Sequence, residues 1–143
     1  MKKSITLLMA AVTAMAVSGC SSSGVDNQQL RDRYFVLSSV DGKPVTAREG
    51  IRPGIRFSPE MRVSGVMCNR FFGQGQLSGE QLHVPQLAST RMRCRDDQLN
   101  QWEQMLGRVL EAGVTLSLHQ QTLTLSGSGH TLVYRAEQSS QDN

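Results

Sequence analysis

Apolar and polar residues alternate along most of this 143-residue chain, and a period of two marks strands with one face covered and the other wet. Tyr34-Phe35-Val36-Leu37-Ser38-Ser39-Val40 predicts the first strand. Asp41-Gly42 follows it, and both positions tolerate the positive φ of a tight hairpin turn. Segments 55–57 and 62–66 predict two more strands, separated by the turn formers Ser58, Pro59 and Glu60. Residues 74–77 and 81–84 flank Ser78-Gly79-Glu80 as a further hairpin. The alternation is clearest in 114–118, 122–125 and 131–134, with Gly127-Ser128-Gly129 as a loop.

One segment changes period. Leu99, Trp102, Met105, Leu106, Val109 and Leu110 recur at helical spacing and predict a helix over about residues 97–112. Asp96 or Asp97 can cap its start, and Gly113 stands where an αL residue is wanted. Gly107 costs up to ~1 kcal/mol relative to alanine inside a helix, a cost that close approach to the sheet would explain. Trp102 reads as a residue covering the inner sheet face rather than as a ligand-stacking ring. The fold class that follows is α+β: one helix laid into a curved antiparallel sheet.

The N-terminus has a different pattern. Lys2-Lys3 precede an uncharged stretch that ends in Val17-Ser18-Gly19-Cys20. Its apolar run of about 13 residues is too short for a spanning helix, which needs about 20. It has the form of a secretory signal ending in a lipobox, with Cys20 as the lipidated first mature residue. Residues 1–19 thus read as a lipoprotein signal peptide, 20–29 as the lipidated N-terminus and a flexible tether, 30–136 as one domain and 137–143 as a polar tail. Ser21 rather than Asp after the cysteine favours the outer membrane, with the domain facing the periplasm. About ten tether residues would reach roughly 17 Å.

Cleavage also changes the charge. The full chain carries 15 Lys+Arg against 12 Asp+Glu; loss of Lys2 and Lys3 leaves 13 against 12. A nucleic-acid binder concentrates basic residues on one face. Here the densest cluster, Arg91, Arg93 and Arg95, is followed at once by Asp96 and Asp97. No nucleic-acid partner is expected.

With Cys20 lipidated, Cys68 and Cys94 remain as a pair in an oxidising compartment, where a disulfide is the natural state; the alternative is two separate buried thiols. His83, His119 and His130 stand on different predicted strands without ligand spacing, so no metal is expected. No serine lies in a Gly-x-Ser-x-Gly context, and Gly73-Gln74-Gly75 lacks the Lys-Ser/Thr of a phosphate loop. No catalytic residue and no cofactor is assigned, and the chain is not expected to be an enzyme.

Two local sequences resemble the paired signatures of META domains: Ser64-Gly65-Val66-Met67-Cys68-Asn69-Arg70-Phe71-Phe72-Gly73 and Leu87-Ala88-Ser89-Thr90-Arg91-Met92-Arg93-Cys94. The opening 35–45 is similar to that family's first hairpin, and the likeness extends over residues 30–136. One departure is Met67, where many relatives have glycine. The resemblance implies a strongly curved, open, barrel-like antiparallel sheet packed around one helix. It also implies an envelope-stress or heat-inducible lipoprotein, associated with tolerance of novobiocin-type antibiotics and without known catalysis. Asn69, Arg70, Thr90 and Arg91 match the two motifs and are the candidate partner-binding residues. A competing role for Asn69 and Thr90 is structural, since such side chains commonly satisfy backbone groups. Two functions stay open: binding an envelope protein, or carrying a small apolar ligand between helix and sheet.

Overall fold

The computed structural model describes residues 25–46 and 50–138. The signal, Cys20 and residues 21–24 lie outside the described residues, as do 139–143 of the tail. The alternating segments form strands in the order β1 (Tyr34–Val40), β2 (Lys43–Pro44), β3 (Gly54–Phe57), β4 (Arg62–Val66), β5 (Arg70–Gln74), β6 (Gln76–Ser78), β7 (Gln81–His83) and β8 (Ala88–Ser89), then β9 (Val114–His119), β10 (Thr122–Gly127) and β11 (His130–Ala136). The helix α2 spans Asp97–Ala112 between β8 and β9.

The named strands pair antiparallel in the order β6-β7-β9-β10-β11-β1-β3-β4-β5-β8, with β2 alongside the far half of β1. Strands β5 and β6 lie near opposite ends of this order, yet only Gly75 separates them in the chain. The sheet must therefore curl until its two ends nearly meet. A bulge in β1 between Leu37 and Ser39, where pairing to β11 slips by one residue, adds local twist. Gly75 donates its N–H to the Met61 carbonyl, and a Cβ there would lie 2.6 Å from that oxygen. The result is an open half-barrel.

Helix α2 fills its open side. Leu99, Met105, Leu106, Val109 and Leu110 are buried against Phe35, Val63, Leu82, Leu116, Leu123 and Leu132 from the sheet. Asp96 caps the helix by accepting the Gln98 N–H at 2.8 Å. Three details differ from expectation. Gly113 is not αL but sits at φ 108°, ψ 138°, a region for glycine alone. Trp102 is half-buried at the rim of the stripe, packed against the core edge rather than under the sheet. Gly107 makes no close approach, since a Cβ there meets nothing within 4 Å. Gly107→Ala is accordingly expected to stabilise the fold by up to ~1 kcal/mol, read as a higher thermal midpoint; an unchanged or lower midpoint would show a role for this glycine that the packing lacks.

Gly65, the glycine of the first motif, has the opposite character. It lies on β4 opposite Ile55, and a Cβ would meet the Gly54 carbonyl oxygen at 2.1 Å and the Phe71 ring at 2.7 Å. Gly65→Ala must push β3 away from β4, and the expected loss is about 2–3 kcal/mol by overpacking, measured by urea unfolding.

The domain begins earlier than the alternating pattern indicated. Asn27–Leu30 forms one helical turn, α1, capped by Asp26, and Leu30 is fully buried. The Asn27 side chain donates to the Pro59 carbonyl at 2.8 Å, and Val25 packs on the core. Residues 25–29, read as tether, are thus part of the folded unit. At the other end Glu137 donates its N–H to the Tyr34 carbonyl and its carboxylate pairs with Arg52.

Candidate functional site

The two cysteine-containing motifs meet at the end of β5 and over the first turns of α2. Their junction is Asn69, a polar residue that is buried, with every hydrogen-bonding group engaged. Its backbone N–H donates to Glu103 Oε1 at 2.6 Å. Its side-chain amide donates to the Met92 carbonyl and to Glu103 Oε2, both at 2.8 Å. Its Oδ1 accepts the Met92 N–H at 2.8 Å and the Thr90 hydroxyl at 3.2 Å. Its carbonyl accepts the N–H of Met67, which is itself a core residue.

A second asparagine repeats the device two residues further on. Asn100, on α2, accepts the Cys94 N–H at 3.1 Å and donates to the Cys94 carbonyl at 2.8 Å. In an extended segment the N–H and C=O of one residue point the same way, and a primary amide offers one donor and one acceptor to match. Asn69 and Asn100 therefore grip Met92 and Cys94 much as neighbouring strands would. Cys94 is also bonded to Cys68, with the two Cα atoms 5.9 Å apart. Neither Asn100 nor Glu103 was singled out by sequence, because each sits on a helix where a polar residue ordinarily faces water. The only hint was their spacing of three, which places them on one face.

The four candidate residues separate into two pairs. Asn69 and the Thr90 hydroxyl are spent inside the network. Arg70 and Arg91 project into solvent, and the Thr90 N–H donating to the Arg70 carbonyl sets them side by side on adjacent segments. Met92 follows Arg91 and is 76% exposed, although its backbone is doubly held. The acidic answer to this cluster is smaller than the sequence implied. Arg93 pairs with Asp97, both well exposed, while no carboxylate among the described residues pairs with Arg70, Arg91 or Arg95.

The histidines stay apart. His83 and His119 end separate strands and are exposed. His130 Nδ1 lies 2.7 Å from Asp41 Oδ2, and Asp41 Oδ1 accepts the Thr131 N–H at 2.7 Å, joining the β1–β2 turn to the β10–β11 turn. These two hydrogen bonds, the His130 one first, hold the Asp41 carboxyl below its ordinary value. A depressed folded-state pKa contributes stability above the unfolded value and loses it as pH falls through the folded one. The stability gap between the native protein and Asp41→Asn is thus expected to be largest near neutrality and to close below about pH 4. Urea midpoints at several pH values check this, and a gap that widened in acid would refute it.

The sequence model of the META domain matches residues 28–139. The chain belongs to the META domain family. Over 125 residues it is 40% identical to the heat shock protein HslJ of Escherichia coli (strain K12), covering 85% of this chain and 89% of that protein. A solved NMR structure at 42% identity superposes with a TM-score of 0.72, over 78% of this chain and 94% of the other. A second NMR structure, of a Burkholderia xenovorans protein, is 24% identical with a TM-score of 0.62, over 79% and 87% of the two chains, and shares the fold. The META signatures in this chain thus acquire a physical meaning. The first glycine admits β3 beside β4, Asn69 and Thr90 fasten one motif to the other, and the cysteines close the same junction.

Proposed function

We propose that this META protein is a membrane-tethered, non-enzymatic stress protein that acts by binding a protein of the cell envelope. Lipidation at Cys20 would hold it at the outer membrane, facing the periplasm. The likeness to a protein named for heat shock supports a role in the response to heat; tolerance of novobiocin-type antibiotics is the finer expectation from the family resemblance. One observation carries the choice of a surface function: the polar groups of Asn69 and the Thr90 hydroxyl are consumed internally, while Met92 of the same motif is held outward. The carrier reading finds less support. The stripe of α2 and the inner sheet face fill the space that a ligand would need.

In-cell crosslinking of the lipidated chain, before and after heat, tests this reading. An adduct pattern that differs from that of an unrelated domain on the same tether and grows on heating is expected. Identical patterns would reject a partner. Palmitate labelling of Cys20→Ala tests the anchor, and persistent label would place it elsewhere.

A further inference from the structure

We infer that the segment Arg91–Arg93, with Arg70 beside it, is a preformed docking ridge for an acidic protein surface that has an apolar pocket for Met92. The inference rests on the partner reading above and specifies where that partner binds and what it must look like.

The first argument is the mismatch between backbone and side chain at Met92. Met92 is 76% exposed, yet its N–H and C=O are both held by the buried Asn69 amide. Two residues on, Cys94 is held by Asn100 and by the disulfide to Cys68. Glu103 in turn fixes Asn69 to α2. The fold thus commits two asparagines, a glutamate and a covalent bond to presenting one apolar residue. Rigid display lowers the ordering cost of binding, and a thioether adapts to pockets of varied shape.

Charge supplies the chemistry of the partner. Arg70 lines one groove beside Met92 and Arg91 lines the depression on its other side. Neither has an ionic partner, nor does Arg95, among the described residues. Arginine presents a planar fork that suits carboxylates, and unpaired rim charges steer complementary surfaces together. The partner is therefore expected to place Asp or Glu around the pocket that covers Met92.

The tether entry and the ridge lie at opposite ends of β4. Because α1 is folded, the chain from Cys20 to Val25 spans at most about 18 Å. The tether enters beside Pro59, at the end of the barrel where β4 begins with Arg62. The ridge stands at the opposite end, since Val66 pairs with Arg70 and the Arg70 carbonyl accepts the Thr90 N–H. One length of β4, about 14 Å, separates the ridge from the end at which the tether enters.

The test uses the full lipidated chain in cells, with a photo-crosslinking residue placed by Met92→benzoylphenylalanine or, on a distant exposed turn, by Gln121→benzoylphenylalanine. The expected result is a heat-increased protein adduct from position 92, weak or absent from 121, with acidic residues in the crosslinked partner peptide. Combining it with Arg70→Glu, Arg91→Glu and Arg95→Glu is expected to cut the adduct by about tenfold or more. The milder Arg→Gln set is expected to cut it less, and both sets should keep the thermal midpoint and the disulfide, since these side chains make no hydrogen bond or ion pair among the described residues. Adducts from 121 but not from 92 would leave the partner reading standing and overturn the ridge. An adduct insensitive to charge reversal would overturn the acidic chemistry, and an adduct with phospholipid would make the ridge a lipid surface instead. No adduct at either site, together with no heat-dependent pattern in whole-chain crosslinking, would reject the partner reading itself.

Discussion

Asn69→Ala is expected to lower stability by about 3–5 kcal/mol, far more than the ~1 kcal/mol of one ordinary hydrogen bond. The excess comes from what the substitution strands. The Met92 N–H and carbonyl lose their partners, the Thr90 hydroxyl loses its acceptor, and Glu103 loses one of its two donors. These groups are partly shielded from water and linked, so their losses compound. Asn69→Asp separates hydrogen bonding from shape. It retains an acceptor for Met92 N–H but sets a second carboxylate oxygen against the Met92 carbonyl and the Glu103 carboxylate. At neutral pH its cost should match that of alanine, and it should recover on acidification as a proton enters the pair. Urea unfolding at pH 7 and pH 5 measures both variants. A loss under ~1 kcal/mol for Asn69→Ala would show that water replaces the amide freely, and the clamp would not be structural.

Opening the Cys68–Cys94 bridge is the second large effect. Its cysteines are 26 residues apart in sequence, and constraint of the unfolded chain over such a loop is worth roughly 3.5 kcal/mol. Cys68→Ser combined with Cys94→Ser, or reduction of the native protein, is expected to lower the urea midpoint accordingly. Asn100 still holds both backbone groups of Cys94 after the bond is gone, so the segment should stay docked in the native state. Amide exchange separates the two contributions: protection of the amide at position 94 should fall only with global stability in the double serine variant, but locally in Asn100→Ala. Asn69 and the bridge hold the same segment, so their effects should couple rather than add. A triple variant would lose most of the 5–15 kcal/mol typical of a domain and is expected to be unfolded at 37 °C. A folded triple variant would show that the junction contributes little to holding the barrel shut.

Much of the architecture was legible along the chain because it depends on local periodicity. Alternation in 34–40, 62–66 and 114–118 survives in β1, β4 and β9, and the helical stripe marked α2 with its observed ends. Asp41-Gly42 turned as its residues require, with φ of 49° and 81°. What failed was equally physical. The expected arm 74–77 is divided at Gly75 between β5 and β6, and the rest of β5 gives no clear alternation because Phe71 is buried while Phe72 stays on the outer face under Arg62. α1 was missed because a single turn has no period to detect; only Leu30, buried by tertiary contact, makes it part of the core.

For the candidate site, the sequence by itself determined which residues were unusual: a glycine, two cysteines, an asparagine and a basic run in two short motifs. It determined that alternation, turns and one stripe of helix would make a curled sheet closed by that helix, since these follow from side-chain spacing along one segment. Only the tertiary structure decided what the motif residues do. Whether an asparagine faces solvent or grips a backbone depends on what lies across from it, and Met92, Glu103 and Asn100 arrive there from other elements. The same folding sends Asn69 and Arg70, neighbours in sequence, to opposite fates, one locked in the junction and one exposed to solvent beside it.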